Sequence, residues 1–375
     1  MFAFYLLGAG FSKPAGLPLG CEIFTEVMRR IKQTDAVVYR NIVMPDVREF
    51  QRFQRRAKGI KASEVTIDLE EFMTFLDIAH GLGFEGSNHW SSQGNRTQLV
   101  IRNYIARVLY EAQSKMSPPT QELYDRFANH LQPHDVVLTF NYGTVLEQSL
   151  RRIGKPFRLF PCRFMECGEM FDIVDSTRAE VVILKMHGSI NWFFIPDFQK
   201  QCSSPTDALT SSLVRHKHSL HPQHIIEGPF PDSSALRHVY RIDNLDKYFA
   251  CVHSVSDAPL LVSPSHAKFF YLQPLVDFFY GLYQTGGYNR EMNIIGFSMP
   301  EHDQYLLQAV YQIVRNYQNM SLGRRYPKRR LRIVDYRKTP REQDSLRGRY
   351  RFVNWGKASV FWDGFGHDAI DFLAR

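Results

Sequence analysis

No stretch of eighteen uninterrupted apolar residues occurs anywhere in the 375-residue chain, so it lacks the pattern of a membrane span. A basic leader is missing as well. Met1 to Gly10 is apolar, but it carries no basic residue and runs into Gly8-Ala9-Gly10 after seven residues, too short for a secretory signal. Cysteine is scarce: Cys21, Cys162, Cys167, Cys202 and Cys251 are an odd set with no Cys-x-x-Cys pair. That count excludes a regular disulfide framework and the usual paired-cysteine zinc site, and it leads to the expectation of a reducing cytoplasm. Internal repeats and low-complexity tracts are also absent.

What the chain does have is ordinary for a soluble globular protein: 44% hydrophobic and 22% charged residues, which argues against extended disorder. Its length exceeds one average domain and points to one core with an inserted or appended subdomain. The formal charge of +8 is uneven, because Ser321 to Arg351 holds twelve Lys or Arg against three Asp or Glu while the remainder is close to neutral. Two readings of that segment stand. It faces a polyanion such as nucleic acid, or Arg324-Arg325 and Lys328-Arg329-Arg330 form a solvated turn before a strand.

Phe2 to Leu7 is a continuous apolar run ending in glycines, the pattern of a strand buried on both faces of a parallel sheet. Leu17 to Ile31 then carries helical spacing through Ile23, Phe24, Val27, Met28 and Ile31. Val38 to Leu131 reads as mostly helical, with amphipathic stretches at Leu69 to Leu82, Thr97 to Ala112 and Thr120 to Leu131 and a polar loop from Gly81 to Gly94. Strand-like runs return at Asp135 to Phe140, Val181 to Met186, Pro259 to Ser263, Met292 to Gly296 and Leu331 to Asp335. Helices are expected at Thr144 to Arg152, Phe269 to Tyr283 and Asp303 to Tyr317. The alternation predicts an α/β fold, a Rossmann-like doubly wound parallel sheet with an inserted helical subdomain. The division is residues 1–37 and 132–375 for the nucleotide-binding domain and 38–131 for the insertion. Pro196 to Leu236, with five prolines, reads as a long connection that is either functional or mobile.

Gly8-Ala9-Gly10-Phe11-Ser12 lies between the first strand and the first helix, where a glycine turn lets backbone N–H groups approach a pyrophosphate. The third glycine of a dinucleotide fingerprint is missing, since Lys13 and Pro14 follow, and Gly16-Leu17-Pro18 makes a second tight turn. Asp35 is not at a strand end, which disfavours a hydride-transferring enzyme.

Four motifs in order carry a resemblance. They are Gly8 to Ser12 with Ala15-Gly16-Leu17-Pro18; Thr139-Phe140-Asn141-Tyr142; Lys185-Met186-His187-Gly188-Ser189-Ile190-Asn191-Trp192; and Gly296-Phe297-Ser298-Met299-Pro300-Glu301-His302-Asp303. Together they resemble the sirtuin-like family, and more closely its bacterial NAD-hydrolysing branch associated with antiphage defence. The resemblance implies that Gly8, Ala9, Gly10, Phe11 and Ser12 clasp the phosphates of NAD, with Gly16 and Leu17 in the same motif. It implies that Asn141, preceded by Thr139, holds the ribose and the reacting water, and that His187 is the catalytic base. Gly296, Ser298 and Asp303 are then on the adenosine side. By family habit, the partners implied are further copies in a homo-oligomer and a separately encoded HerA-type ATPase. Two departures matter: the zinc cysteines of deacylating members are missing, and Gly143 stands where an acid usually follows Asn-Tyr.

The residue types suit cleavage of the nicotinamide–ribose bond, which passes through an oxocarbenium-like species and needs the ribose oriented and water delivered. An amide orients hydroxyls or water, and an imidazole with an unperturbed pKa of about 6.5 takes a proton at neutral pH. The expected activity is therefore an NAD glycohydrolase that releases nicotinamide and ADP-ribose, with NAD as substrate and no metal. Two alternatives stay open: a nucleotide-sensing or nucleic-acid-binding subunit using the basic segment, and an ADP-ribosyltransferase or deacylase. The bland readings of the pair are that Asn141 caps the helix beginning near Thr144 and that His187 packs beneath Trp192. Glu70 and Glu71 read as a solvated pair, Trp192 to Phe194 as core, and the histidines 216, 218, 221 and 224 as a loop rather than a metal site.

Overall fold

The computed structural model describes residues 2–61, 67–84, 93–168, 172–203, 211–251, 257–299, 303–321, 323 and 327–375. Pro300, Glu301 and His302 of the fourth motif, Arg324 and Arg325 of the basic segment, Pro205, and much of the Gly81 to Gly94 loop lie outside them.

Seven strands form one fully parallel sheet: β1 (Ala3–Leu7), β2 (Val136–Thr139), β3 (Phe157–Arg158), β4 (Val181–Lys185), β5 (Glu291–Ile295), β6 (Leu331–Val334) and β7 (Ala358–Phe361), in the order β7-β6-β5-β1-β2-β4-β3. All five residues of β1 and all five of β4 are buried, as expected for strands covered on both faces. The order makes β1 and β5 the switch point. The chain moves outward from β1 through β2 towards β3, then returns to the other side of β1 as β5. In open α/β sheets the crevice for a ligand lies outside the carboxyl ends of the strands at this point. The fold is therefore the Rossmann-like doubly wound sheet that the alternation predicts.

The principal helices are α1 (Ala9–Ser12), α2 (Gly20–Thr34), α3 (Met44–Arg56), α4 (Leu69–Gly81), α5 (Arg96–Ser114), α6 (Pro118–His130), α7 (Val145–Arg152), α8 (Gln304–Asn319), α9 (Pro340–Arg349) and α10 (His367–Ala374). Several starts are set by side chains that satisfy the first free N–H groups. Asn95 and Gln98 form a reciprocal capping box at α5, with Oδ1 of Asn95 accepting from Gln98 N at 2.9 Å, and Thr339 and Glu342 do the same at α9. Ser117 caps α6 ahead of Pro118. Helix α6 packs against α7 and α10, and α2 packs against α5, so helices from the 38–131 stretch cover the same core as the helices that follow the strands.

Two expectations change. Pro259 to Ser263 is not a strand of the sheet; Leu261 makes only an isolated antiparallel bridge with Gly188. Phe269 to Tyr283 is not one helix but three 3₁₀ segments, Lys268–Tyr271, Gln273–Phe279 and Leu282–Gln284. Pro274 at the start of the second segment lacks the N–H a continuous helix needs, and Gly281 at φ +72° breaks the chain direction before the third. Beyond Asp335 the sheet continues through α9 to a seventh strand and α10, where Phe365 joins the rings of Phe11, Tyr124 and Phe127. The polar Pro196 to Leu236 connection contains short helices and the Gln223–His224 strand, which pairs with Val239–Arg241 and through it with Trp192–Phe194. Among the described residues no helix is long and apolar enough to cross a membrane.

The seam between β1 and β5 is closed by glycines. Gly8 N donates to Ile295 O and Gly10 N to Gly296 O, both at 2.9 Å. A Cβ on Gly8 would lie 2.5 Å from Gly296 O, and one on Gly296 would lie 2.4 Å from Phe11 N, with Gly296 itself at φ +60°. A Gly296→Ala variant therefore combines a left-handed backbone with a backbone clash and is expected to lose more than about 1–2 kcal/mol, the left-handed penalty alone. The urea midpoint of unfolding measures it, and an unchanged midpoint would contradict the seam.

Candidate functional site

Parallel register brings the motif residues to one edge. Thr139, Leu7 and Ile295 are paired across β2, β1 and β5, Lys185 is paired with Thr139, and Val334 with Ile295. The residues that follow each strand, Asn141, Gly8 to Ser12, Gly296 to Met299 and His187, therefore emerge side by side at the carboxyl edge around the switch point. All four sequence motifs meet there.

Asn141 is built into the glycine turn. Its Nδ2 donates to Gly8 O at 2.7 Å and to Ser12 Oγ at 3.2 Å, while its backbone N donates to Thr139 Oγ1 at 3.1 Å. It is not the cap of α7: Thr144 holds that position, and no side chain caps it. Within the turn the N–H groups of Gly8, Gly10 and Phe11 are already donated inside the chain, to Ile295 O, Gly296 O and Gly8 O. Ala9 is exposed at the tip, whereas Phe11 is 2% exposed and anchors α1 through rings at 4.6–5.2 Å from its own, with Tyr124 OH donating to its carbonyl at 2.8 Å. Gly16, at φ +78°, is exposed, and Leu17 is buried against Gly143. The cavity directly around Asn141, lined also by Leu7, Ser12, Thr139 and Val145, holds about 10 Å³, room for at most one water.

His187 lies in an aromatic cage. Phe140, Tyr142 and Tyr305 surround the imidazole at centroid distances of 5.1, 6.2 and 6.3 Å, and Tyr305 OH is 2.6 Å from its Nε2. Trp192, 1% exposed, is core as expected, but its ring partner is Phe278, not His187. Backbone bonds fix the histidine: Val262 N donates to His187 O at 2.9 Å, and Tyr142 OH donates to Val262 O at 2.6 Å. Burial, with the Lys268 ammonium adding to it, pushes the imidazole well below its ordinary range, so the ring is neutral.

Behind the pair a polar clamp holds the β2 and β4 ends. Lys185, wholly buried, donates from Nζ to Gly143 O at 2.5 Å and pairs with Glu147 at 2.7 Å. Gln113 of α5 and Thr144 bond reciprocally, at 2.9 and 3.1 Å. Where an acid is usual, Gly143 thus presents a carbonyl to a buried ammonium. At the fourth motif, Asp303 is buried and ion-paired with Lys268, and Ser298 offers its carbonyl to Arg349 at 3.2 Å.

Tyr305 and Lys268 are the functional neighbours that sequence reasoning missed. Tyr305 had a signal, since it follows the fourth motif by two residues at a helix start; Lys268 had none. Glu71 bonds Gln54 and Lys58 rather than the site. Strand β6 divides the basic segment. Before it, Lys328 donates to Tyr317 O, a C-terminal carbonyl of α8, at 3.1 Å, and Arg330 to Ala358 O. After it, Arg349 reaches the carboxyl edge. Among the described residues no group of His, Cys, Asp or Glu is arranged to hold a metal ion.

No family model matches the sequence, and no curated protein matches it. Among solved structures the chain is similar to a sirtuin studied for its substrate affinity, at 10% identity over 100% of this chain and 93% of that one with a TM-score of 0.33. It is similar also to Sir2Tm bound to a propionylated peptide, at 12% identity over 99% and 91% with a TM-score of 0.31. A third is a Sir2–p53 peptide–NAD+ complex, at 11% identity over 100% and 90% with a TM-score of 0.31. Such loose superpositions carry no residue roles across.

The buried neutral imidazole has a consequence for stability. Below pH 6.5 the unfolded chain protonates His187 while the folded chain does not, so stability falls on acidification through that value by up to about 1.4 kcal/mol per pH unit. Replacing His187 by Gln is expected to flatten the slope of unfolding free energy between pH 6.5 and 5, measured by denaturant titration. An unaltered slope would mean that the imidazole is not held neutral.

Proposed function

We propose that this chain is an NAD glycohydrolase: it adds water across the nicotinamide–ribose bond of NAD and releases nicotinamide and ADP-ribose. The observation that carries the reading is the position of Asn141, whose amide is bonded to the glycine turn at Gly8 and Ser12 on one strand end while His187 stands on the neighbouring strand end. Residues of four separate motifs converge at the strand ends where an open α/β sheet takes its ligand.

The N–H groups of Gly8, Gly10 and Phe11 are spent inside the chain, so NAD would meet this turn through its remaining groups. Ala9 and Ser12 offer the phosphate side a turn with little side-chain bulk, and Gly296, Ser298 and Asp303 lie across the switch point for the adenosine side. NAD supplies the C–N bond, whose electron pair leaves with neutral nicotinamide. Asn141 is placed to orient a ribose hydroxyl or the incoming water through its amide. His187, held neutral, takes the proton that the water sheds as its oxygen joins the ribose carbon, and then passes it to solvent. The rings of Phe140 and Tyr142 beside His187, with Phe297 stacked on Phe140, keep bulk water out and strengthen each polar contact at the developing positive charge. Lack of paired zinc cysteines counts against an acyl-lysine substrate. In this reading residues 1–37 and 132–375 are the catalytic domain and 38–131 the insertion, and the activity depletes cytoplasmic NAD in antiphage defence. Restraint then comes from a homo-oligomer or a separately encoded HerA-type ATPase.

Nicotinamide release from NAD tests the reading, with and without candidate partners or DNA. Turnover is expected to fall about 10²–10⁴-fold in His187→Ala, the size of a general-base contribution, and about 10²-fold in Asn141→Ala through lost positioning. A wild type that binds NAD but releases nothing under every condition overturns the hydrolase reading. A variant with unchanged turnover overturns its residue assignment.

A further inference from the structure

We infer that Tyr305 is a latch on His187: its hydroxyl occupies the lone pair that His187 needs as a base, and turnover requires that contact to open. The inference rests on the reading of His187 as the base.

A neutral imidazole has one ring nitrogen that accepts and one that donates. Tyr305 OH lies 2.6 Å from Nε2, and His187 is the one hydrogen-bond partner of that hydroxyl among the described residues. Burial raises the phenol above its ordinary range, so Tyr305 keeps its proton. A half-buried hydroxyl that keeps its proton, with a single acceptor in reach among the described residues, donates to it. Nε2 is therefore the acceptor, Nδ1 carries the ring proton, and neither nitrogen has a free lone pair while the contact stands. Water and ribose hydroxyls cannot hand a proton to His187 in this state.

The latch is held at several points. Tyr305 is the second residue of α8, directly after Asp303, whose carboxylate is ion-paired with the Lys268 ammonium, both nearly fully buried. Its ring meets Phe269 and Phe279 edge-on at 5.5 and 5.7 Å, each from a separate 3₁₀ segment. Tyr142, the other phenol beside the imidazole, does not compete, because its hydroxyl is spent on Val262 O. One helix turn thus carries both the hydroxyl that blocks the base and the carboxylate that anchors the block. Phe269, 68% exposed, puts one wall of the latch at the surface.

The test compares wild type, Tyr305→Phe, Tyr305→Ala and the double variant Tyr305→Phe/His187→Ala for nicotinamide release at saturating NAD. Carbethoxylation of His187 by diethyl pyrocarbonate is followed in parallel by peptide mass spectrometry. Tyr305→Phe removes the hydroxyl and keeps the ring, so release is expected to rise by up to about tenfold, the factor one ordinary hydrogen bond is worth, and the double variant to lose it. Tyr305→Ala guards against a phenylalanine that still covers the ring, with a thermal melt confirming that it is folded. Release that falls in Tyr305→Phe shows a proton relay and overturns the latch; release unchanged in both single variants overturns it too. If no protein releases nicotinamide, the hydrolase reading has failed, and the latch is judged by carbethoxylation alone: faster modification of His187 in the folded Tyr305 variants supports it, and an unchanged rate overturns it.

Discussion

The backbone contact between Gly8, Gly10 and Gly296 governs the rest of the site. Two hydrogen bonds run directly from the β1 turn to the end of β5 and the residue after it, at a distance that leaves no room for a Cβ on either side. Because the two strands meet at the switch point, this approach fixes the depth and direction of the crevice. It also uses N–H groups that a dinucleotide fingerprint would leave for phosphate. Asn141 is bonded to the same turn through Gly8 O and Ser12 Oγ, so the turn and the amide keep one geometry. An ordinary side chain at any of the three glycines would pry the seam apart and carry Asn141 with it.

From this seam outward, the buried charges nearest the site are paired, while Asn293 of β5 keeps a buried amide without a partner. Lys185 with Glu147 and Gly143 O, Gln113 with Thr144, and Lys268 with Asp303 place charged or amide groups inside the core with partners, as burial requires. His187 is the residue on which the proposed chemistry rests. It is held neutral by burial among rings, and among the described residues its one polar side-chain contact is to Tyr305. A base kept in that condition is ready to accept a proton and is at the same time covered. The same packing that keeps its lone pair unprotonated places Tyr305 OH against it.

Much of the fold was legible before the structure because it depends on local pattern. The run Ala3 to Leu7 is apolar without alternation, as a strand covered on both faces must be, and Thr97 to Ala112 carries the spacing of an amphipathic helix. Phe269 to Tyr283 misled because its apolar spacing is helical while Pro274 and Gly281 interrupt the backbone. Pro259 to Ser263 misled because an apolar β-rich run packs equally well as an extended segment outside the sheet. Phe157–Arg158 and Ala358–Phe361 are short edge strands with mixed burial, and such strands leave little periodicity to read.

What the sequence by itself determined is the class of fold and the residues offered as a candidate site: a strand and glycine turn, an asparagine and a histidine each placed just after an apolar run. These follow from backbone propensity and side-chain chemistry, which act over a few residues. Only the tertiary structure decided that Asn141 serves the glycine turn rather than a helix cap, that one basic stretch is split between two edges of the sheet, and that Tyr305 sits on His187. Each depends on residues more than a hundred positions apart in the chain, or on a strand passing between neighbours, and neither spacing nor composition records such contacts.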